Sequence, residues 1–205
     1  MNEQKLYLYS KGVRVWHGIN ALSIIVLIVT GISMHYSTKE NSFISFDLAV
    51  SLHNLFSGLL IFSYLFFIIS NLVTKNGKAY QIERKDLFKK LVQQSKYYLI
   101  GYFRGDPKPF SISKENKFNP LQQVTYSITM YLLVPLVILT GIGMLFPESI
   151  VEKLTTSSGI KLTAVFHTVI GFLVSLFLIV HIYVASVGKH PLRNYRSIVS
   201  GYHEE

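Results

Sequence analysis

Apolar residues along this chain are gathered into four blocks, Val15–Ser33, Val50–Val73, Tyr126–Phe146 and Leu162–Val187. Within the blocks Lys, Arg, Asp and Glu are almost missing, and polar residues do not return at every third or fourth position as they do on a soluble helix. At about 1.5 Å per residue each block can cross ~30 Å of hydrocarbon. The pattern predicts an all-α fold, an integral membrane four-helix bundle forming one domain over residues 1–205. The first block exceeds the ~7–15 residue core of a cleaved leader, and it runs into Met34-His35-Tyr36 instead of small residues. It therefore reads as a retained span.

The connection 74–118 has a pattern of its own. Over Asp86–Phe103, the residues Leu87, Phe88, Leu91, Tyr98, Leu99 and Tyr102 recur at helical spacing with lysines between them. This predicts a helix lying in the membrane interface, as an anchor or as a docking surface. Gly105-Asp106-Pro107 should break it, and Asn119-Pro120 should open the third span with proline in the first turn. An internal echo links the two halves: Val29-Thr30-Gly31-Ile32-Ser33-Met34 and Leu139-Thr140-Gly141-Ile142-Gly143-Met144 each close a span, and His53 or His167 then opens the next. Duplication and convergence on small-residue helix packing both account for such an echo.

Charge orients the helices. Of the twenty Lys and Arg residues only Lys39, Lys153 and Lys161 fall on the side of the 35–49 and 147–161 connections. The rest cluster beside the termini and in the 74–118 connection, which makes that side cytoplasmic by the positive-inside rule. A net charge of +9 is then topology and attraction to anionic lipid, not nucleic-acid binding. The chain has no cysteine, so Cys-ligated iron–sulfur clusters and thioether-attached haem are excluded. Any redox centre held by this chain must use its seven histidines.

A histidine within a bilayer is costly unless bound or paired. His17 lies at the inner start of span one and His181 near the inner end of span four, while His53 and His167 begin spans two and four on the outer side. His167 and His181 are fourteen residues apart, which brings them to within ~40° of one helix face and about 21 Å apart along the axis. One helix would thus supply one ligand to each of two stacked sites. Zinc asks for about four protein ligands, whereas haem iron asks for two beyond its porphyrin. Paired imidazoles within apolar walls suit haem, and Arg14, one turn before His17, suits a propionate. His35 follows His17 by eighteen residues on the same face, so spacing alone does not choose between His35 and His53 as the partner of His167. His190 and His203 fall in the inner tail and are expected to be solvated.

Arg14-Val15-Trp16-His17-Gly18-Ile19-Asn20-Ala21-Leu22, running on to Thr30-Gly31, resembles the opening of the di-haem four-helix cytochrome b subunits. These serve formate dehydrogenases, nickel–iron hydrogenases and thiosulfate reductase-type complexes of prokaryotic membranes. His167-x-x-x-Gly171, followed by His181-Ile182-Tyr183-Val184-Ala185, is similar to their last span, and Lys117-Phe118-Asn119-Pro120-Leu121-Gln122 is similar to the segment opening their third. The resemblance covers nearly the whole chain. It implies two haem b groups, the outer on His53 and His167 and the inner on His17 and His181. It also implies a cytoplasmic-side site for menaquinone or ubiquinone at Asn119, Gln122 and His181. Pro120-Leu121 departs from the small residue found there in formate dehydrogenase subunits, and Asn119 read by itself is equally a helix cap.

The expected function is an electron-transfer subunit of the prokaryotic inner membrane, linking the quinone pool to a periplasmic iron–sulfur or multihaem cytochrome c subunit. Two alternatives stand beside it. One is a stand-alone di-haem quinone oxidoreductase fed by a diffusible donor such as superoxide. The other is a small transporter or scaffold with structural histidines and no haem.

Overall fold

The four apolar blocks form four helices in a computed structural model, which describes residues 5–38, 43–113, 116–148, 159–188 and 190–204. A short strand β1 (Lys5–Tyr7) precedes α1 (Lys11–Tyr36) and α2 (Phe46–Val73), and a 3-10 turn follows over Lys75–Tyr80. Then come α3 (Leu87–Lys96), the third span α4 (Pro120–Leu145), the fourth span α5 (Gly159–Ser186), α6 (Arg193–Ser200) and strand β2 (Tyr202–Glu204). α1, α2, α4 and α5 are each long and apolar enough to cross a membrane, so the fold is all-α with four candidate spans. Lys39, Lys153, Lys189 and most of the 147–161 connection lie outside the described residues.

The helices outrun the apolar blocks because their ends carry polar interfacial residues that hydropathy omits. α4 begins at Pro120, ahead of the apolar block that starts at Tyr126: Asn119 caps it, its side chain accepting from the Gln122 N–H at 3.0 Å while the Gln122 side chain accepts from the Asn119 N–H at 3.1 Å. Pro120 occupies the first turn, where an N–H would have no helical acceptor. Further along, Pro135 has no N–H to offer the Tyr131 carbonyl, and the helix widens into a π turn over Thr129–Leu133 just ahead of it. α3 starts beside Asp86 in a left-handed conformation and continues through a π turn (Tyr97–Gly101) to Arg104, where Gly105 at φ 77° ends it. The helix foreseen over Asp86–Phe103 is therefore present. It exposes the stripe Phe88, Val92, Leu99 and Phe103, with Phe88 81% accessible, and turns Gln94 and Gly101 inward.

The chain divides into two compact units. The first comprises Met1–Arg14, Ser70–Leu132 and Leu176–Glu205. In it β1 and β2 pair antiparallel with Leu6 opposite His203, tying the two ends of the chain together. His203 is consequently buried at 4% exposure, with Nδ1 3.3 Å from the Ser197 hydroxyl, which corrects the expectation that it would be solvated. His190 is exposed, as expected. α3 is held by side chains reaching its backbone and by its own tyrosines. Tyr183 donates to the Tyr98 carbonyl at 2.9 Å, Tyr102 to the Gly188 carbonyl at 3.2 Å, and Asn119 Nδ2 to the Tyr98 hydroxyl at 2.7 Å.

The second unit comprises Val15–Ile69 and Leu133–Ser175, so segments of all four spans meet within it. Its buried positions include the small or polar residues Asn20, Ser23, Thr30, Ser33, Ala49 and Ser63 beside the larger Ile24, Leu60, Phe67, Val134 and Ile170. Its exposed positions include Leu22, Phe62, Leu65, Ile69, Leu139 and Leu162. The many large apolar residues outside and the small residues among those inside fit membrane helices that pack partly through small side chains and turn large apolar ones to lipid. The Trp16 indole N–H donates to the Ser63 carbonyl at 2.9 Å, the ring stacks on Phe67, and Ser63 donates to Asn20 Oδ1 at 3.3 Å.

Gly201 ends α6 at φ 89°, and a Cβ there would lie 2.8 Å from the Tyr9 carbonyl oxygen. Both the backbone conformation and the space demand glycine. Gly201→Ala should release the β1–β2 pairing, read as faster protease cleavage at the two ends of the chain while the spans stay protected.

Candidate functional site

The second unit contains a symmetric arrangement around two histidines. His53, in the second turn of α2, and His167, in the third turn of α5, face one another with ring centroids 6.4 Å apart and planes at 65°. Each ring is anchored by a threonine from the preceding span. His53 Nδ1 lies 2.9 Å from Thr30 Oγ1, and His167 Nδ1 lies 2.8 Å from Thr140 Oγ1. Each hydroxyl in turn donates to a carbonyl one turn back in its own helix, Thr30 to Val26 at 2.7 Å and Thr140 to Leu136 at 2.8 Å.

That arrangement assigns the tautomer. A hydroxyl has a single proton. With it committed to the helix carbonyl, the oxygen can only accept from the imidazole, so Nδ1 carries the hydrogen on both rings. Nε2 of each is left with its lone pair, the form in which neutral imidazole binds a metal. The neighbouring glycines make room: a Cβ at Gly31 would meet His53 Cε1 at 3.6 Å, and one at Gly141 would meet His167 Cε1 at 3.4 Å. The Thr-Gly echo seen in the sequence is thus a Thr that holds a histidine and a Gly that admits its ring, twice. Reading the echo as helix packing missed the two threonines. Their recurrence one residue before glycine, in each half, was the available signal.

His35 stands elsewhere. It is exposed at the end of α1 with its ring edge-on to Tyr36 at 4.8 Å. His17 belongs to the second unit and is half-buried beside Trp16, with ring centroids 6.5 Å apart.

His181 belongs to the first unit. It stacks on Phe177, one turn earlier in α5, at 5.6 Å and 22°, and meets the edge of Tyr126 at 5.5 Å. Tyr126 also packs against Phe118 and Phe177, so aromatic rings wall this side of the histidine. Nearby in the chain, the Asn119 amide uses one carbonyl lone pair on the Gln122 N–H and one N–H on Tyr98, leaving one of each. Burial pushes the Tyr98 phenol up to about 12, with the Asn119 hydrogen bond opposing, so it stays protonated at working pH. Sequence reading did not single out Tyr98 or Tyr126 as part of this cluster. Arg14, also in the first unit, packs beside Gly201, and its buried Nε has no hydrogen-bond partner among the described residues.

Residues 8–201 match the prokaryotic cytochrome b561 family. Over 201 residues the chain is 34% identical to "Putative cytochrome YdhU" of Escherichia coli (strain K12), an alignment that takes in 98% of this chain and 75% of that protein. The chain belongs to the prokaryotic cytochrome b561 family: it is a multi-pass membrane b-type cytochrome, and its work is electron transfer.

The residues present fit a b-type haem. Among the described residues no three His, Cys, Asp or Glu side chains converge as a conventional metal site would require. Two imidazoles do converge. Two imidazoles that would share one metal, each nitrogen at ~2 Å from it, would stand with ring centroids roughly 6 Å apart. His53 and His167 stand at 6.4 Å. The orphaned Nε of Arg14 is a donor suited to a carboxylate such as a propionate.

The clearance at Gly141 gives a graded test. Gly31→Ala, with its Cβ at ordinary contact distance, should keep its haem absorbance, whereas Gly141→Leu, whose longer side chain would crowd the His167 ring, should lose haem. Pyridine haemochrome assay of the purified variants measures both.

Proposed function

We propose that this cytochrome holds two haem b groups, the outer on His53 and His167 and the inner on His17 and His181, with Arg14 toward an inner propionate. The single observation that supports this reading best is the pair of threonine-anchored imidazoles 6.4 Å apart, each with Nε2 left to bind. When bound, haem supplies reversible one-electron chemistry, and the protein contributes ligation, orientation and an apolar surround. His181 adds its aromatic wall of Phe177 and Tyr126 on the other haem's side of the reading.

The second part of the proposal is a quinone site at Asn119, Gln122 and His181. The capped start of α4 presents the remaining amide groups of Asn119, and Tyr98 adds a phenol that remains a donor. A quinone carbonyl needs donors of this kind at headgroup depth. Menaquinone and ubiquinone both satisfy that chemistry. With both termini cytoplasmic, as the distribution of lysine and arginine favours, this site lies on the inner side and the His53–His167 pair on the outer. Electrons would then pass between quinone and a periplasmic iron–sulfur or multihaem cytochrome c subunit docked outside.

Haem counting tests the ligand set. The purified, dithionite-reduced chain should carry two haems, and His53→Ala, His167→Ala, His17→Ala and His181→Ala should each lose about one. Full haem content in His167→Ala would overturn the assignment. Co-purification with a periplasmic redox subunit is expected; a chain fully active alone with superoxide and quinone would favour the stand-alone reading.

A further inference from the structure

Resting on the reading of His53 and His167 as ligands, we propose that Thr30 and Thr140 are positioning residues that set the electron-donating strength of those imidazoles and hold the potential of the outer haem down.

Each threonine lies at the middle of a relay. The imidazole Nδ1–H donates to the hydroxyl, and the hydroxyl donates to a backbone carbonyl whose helix is a fixed dipole. Hydrogen bonds linked head to tail polarise one another, so the threonine oxygen is a better acceptor than an isolated hydroxyl. Pulling on the Nδ1 proton raises electron density at Nε2, and a metal-bound histidine is made a stronger donor by such an outer partner. A stronger donor favours the oxidised metal. The two relays match to within 0.1 Å at both links, 2.9 and 2.7 Å at Thr30 against 2.8 and 2.8 Å at Thr140, so both ligands of one site are biased in the same direction.

A plain packing role would make different demands. Back-bonding to the carbonyl one turn earlier already satisfies a threonine hydroxyl in an apolar helix. That role needs no imidazole at the oxygen's remaining lone pairs, and it would not recur on the two histidines that face each other. Nor would it place glycine next to each threonine, where the ring edge passes at 3.6 and 3.4 Å from the Cβ position. The repeated Thr-Gly pair does two things at once, taking the Nδ1 proton and clearing the ring.

The test uses the full chain in detergent or native membranes, with Thr30→Val, Thr140→Val, the double Val variant, and Thr30→Ser and Thr140→Ser. Valine keeps the shape and removes the acceptor; serine keeps the acceptor. Redox titration followed in the visible α-band should resolve two components. In each Val variant one component should shift to higher potential, further in the double variant, with the other unmoved. The Ser variants should titrate like the parent. The shifted component should be the one missing from His53→Ala. Val variants that keep their haem at the parent potential would overturn the proposal, as would Ser variants that lose haem or shift as far as the Val variants. The ligand reading itself fails on a different result, full haem content in His53→Ala and His167→Ala.

Discussion

An imidazole inside a membrane helix has two nitrogens to satisfy and no water to satisfy them, and the second unit of this protein is organised by that constraint. Thr30 and Thr140 take one nitrogen of His53 and His167, accepting from it because each hydroxyl spends its own proton on its helix. What remains on each ring is one lone pair, on two rings whose centroids lie 6.4 Å apart. Helices packed through Ser23, Ala49 and Ser63 come close enough for a short side chain like threonine to bridge two spans. Larger residues at those points would separate the spans and leave the histidines unanchored.

The first unit solves a different problem, closing helix ends where the hydrocarbon gives way to water. Asn119 and Gln122 cap each other's backbone at the start of α4, and Asn119 spends its amide on Tyr98. Tyr98 and Tyr102 then fasten α3, the first through its own carbonyl to Tyr183 and the second to Gly188 at the end of α5. Around His181 itself stand the rings of Phe177 and Tyr126. A cap and a ligand-binding role are not exclusive here, because each amide keeps unspent hydrogen-bonding capacity. The exposed apolar stripe of α3, flanked by Lys85, Lys89 and Lys96, suits a helix lying among lipid headgroups.

Membership of the prokaryotic cytochrome b561 family and the geometry of the site converge from independent directions. The family match covers almost the whole chain and speaks to haem b and electron transfer. The geometry speaks to two particular imidazoles, their protonation and their separation.

The amino-acid sequence by itself determined the four spans, the helix of the 74–118 connection, its stop at Gly105 and the helical face shared by His167 and His181. These follow from local composition and from the 3.6-residue turn, which act along one helix at a time. Only the tertiary structure decided which histidines meet. His35 and His53 are equivalent by spacing, yet His53 stands across from His167 and His35 points out beside Tyr36, because that choice depends on how separate helices pack. The same holds for the Thr-Gly pairs, whose partners are 23 and 27 residues away, and for His203, buried by a strand pairing between the two ends of the chain. A residue's neighbours across a helix interface carry no periodic signature in the chain, so their roles emerge only once the interface exists.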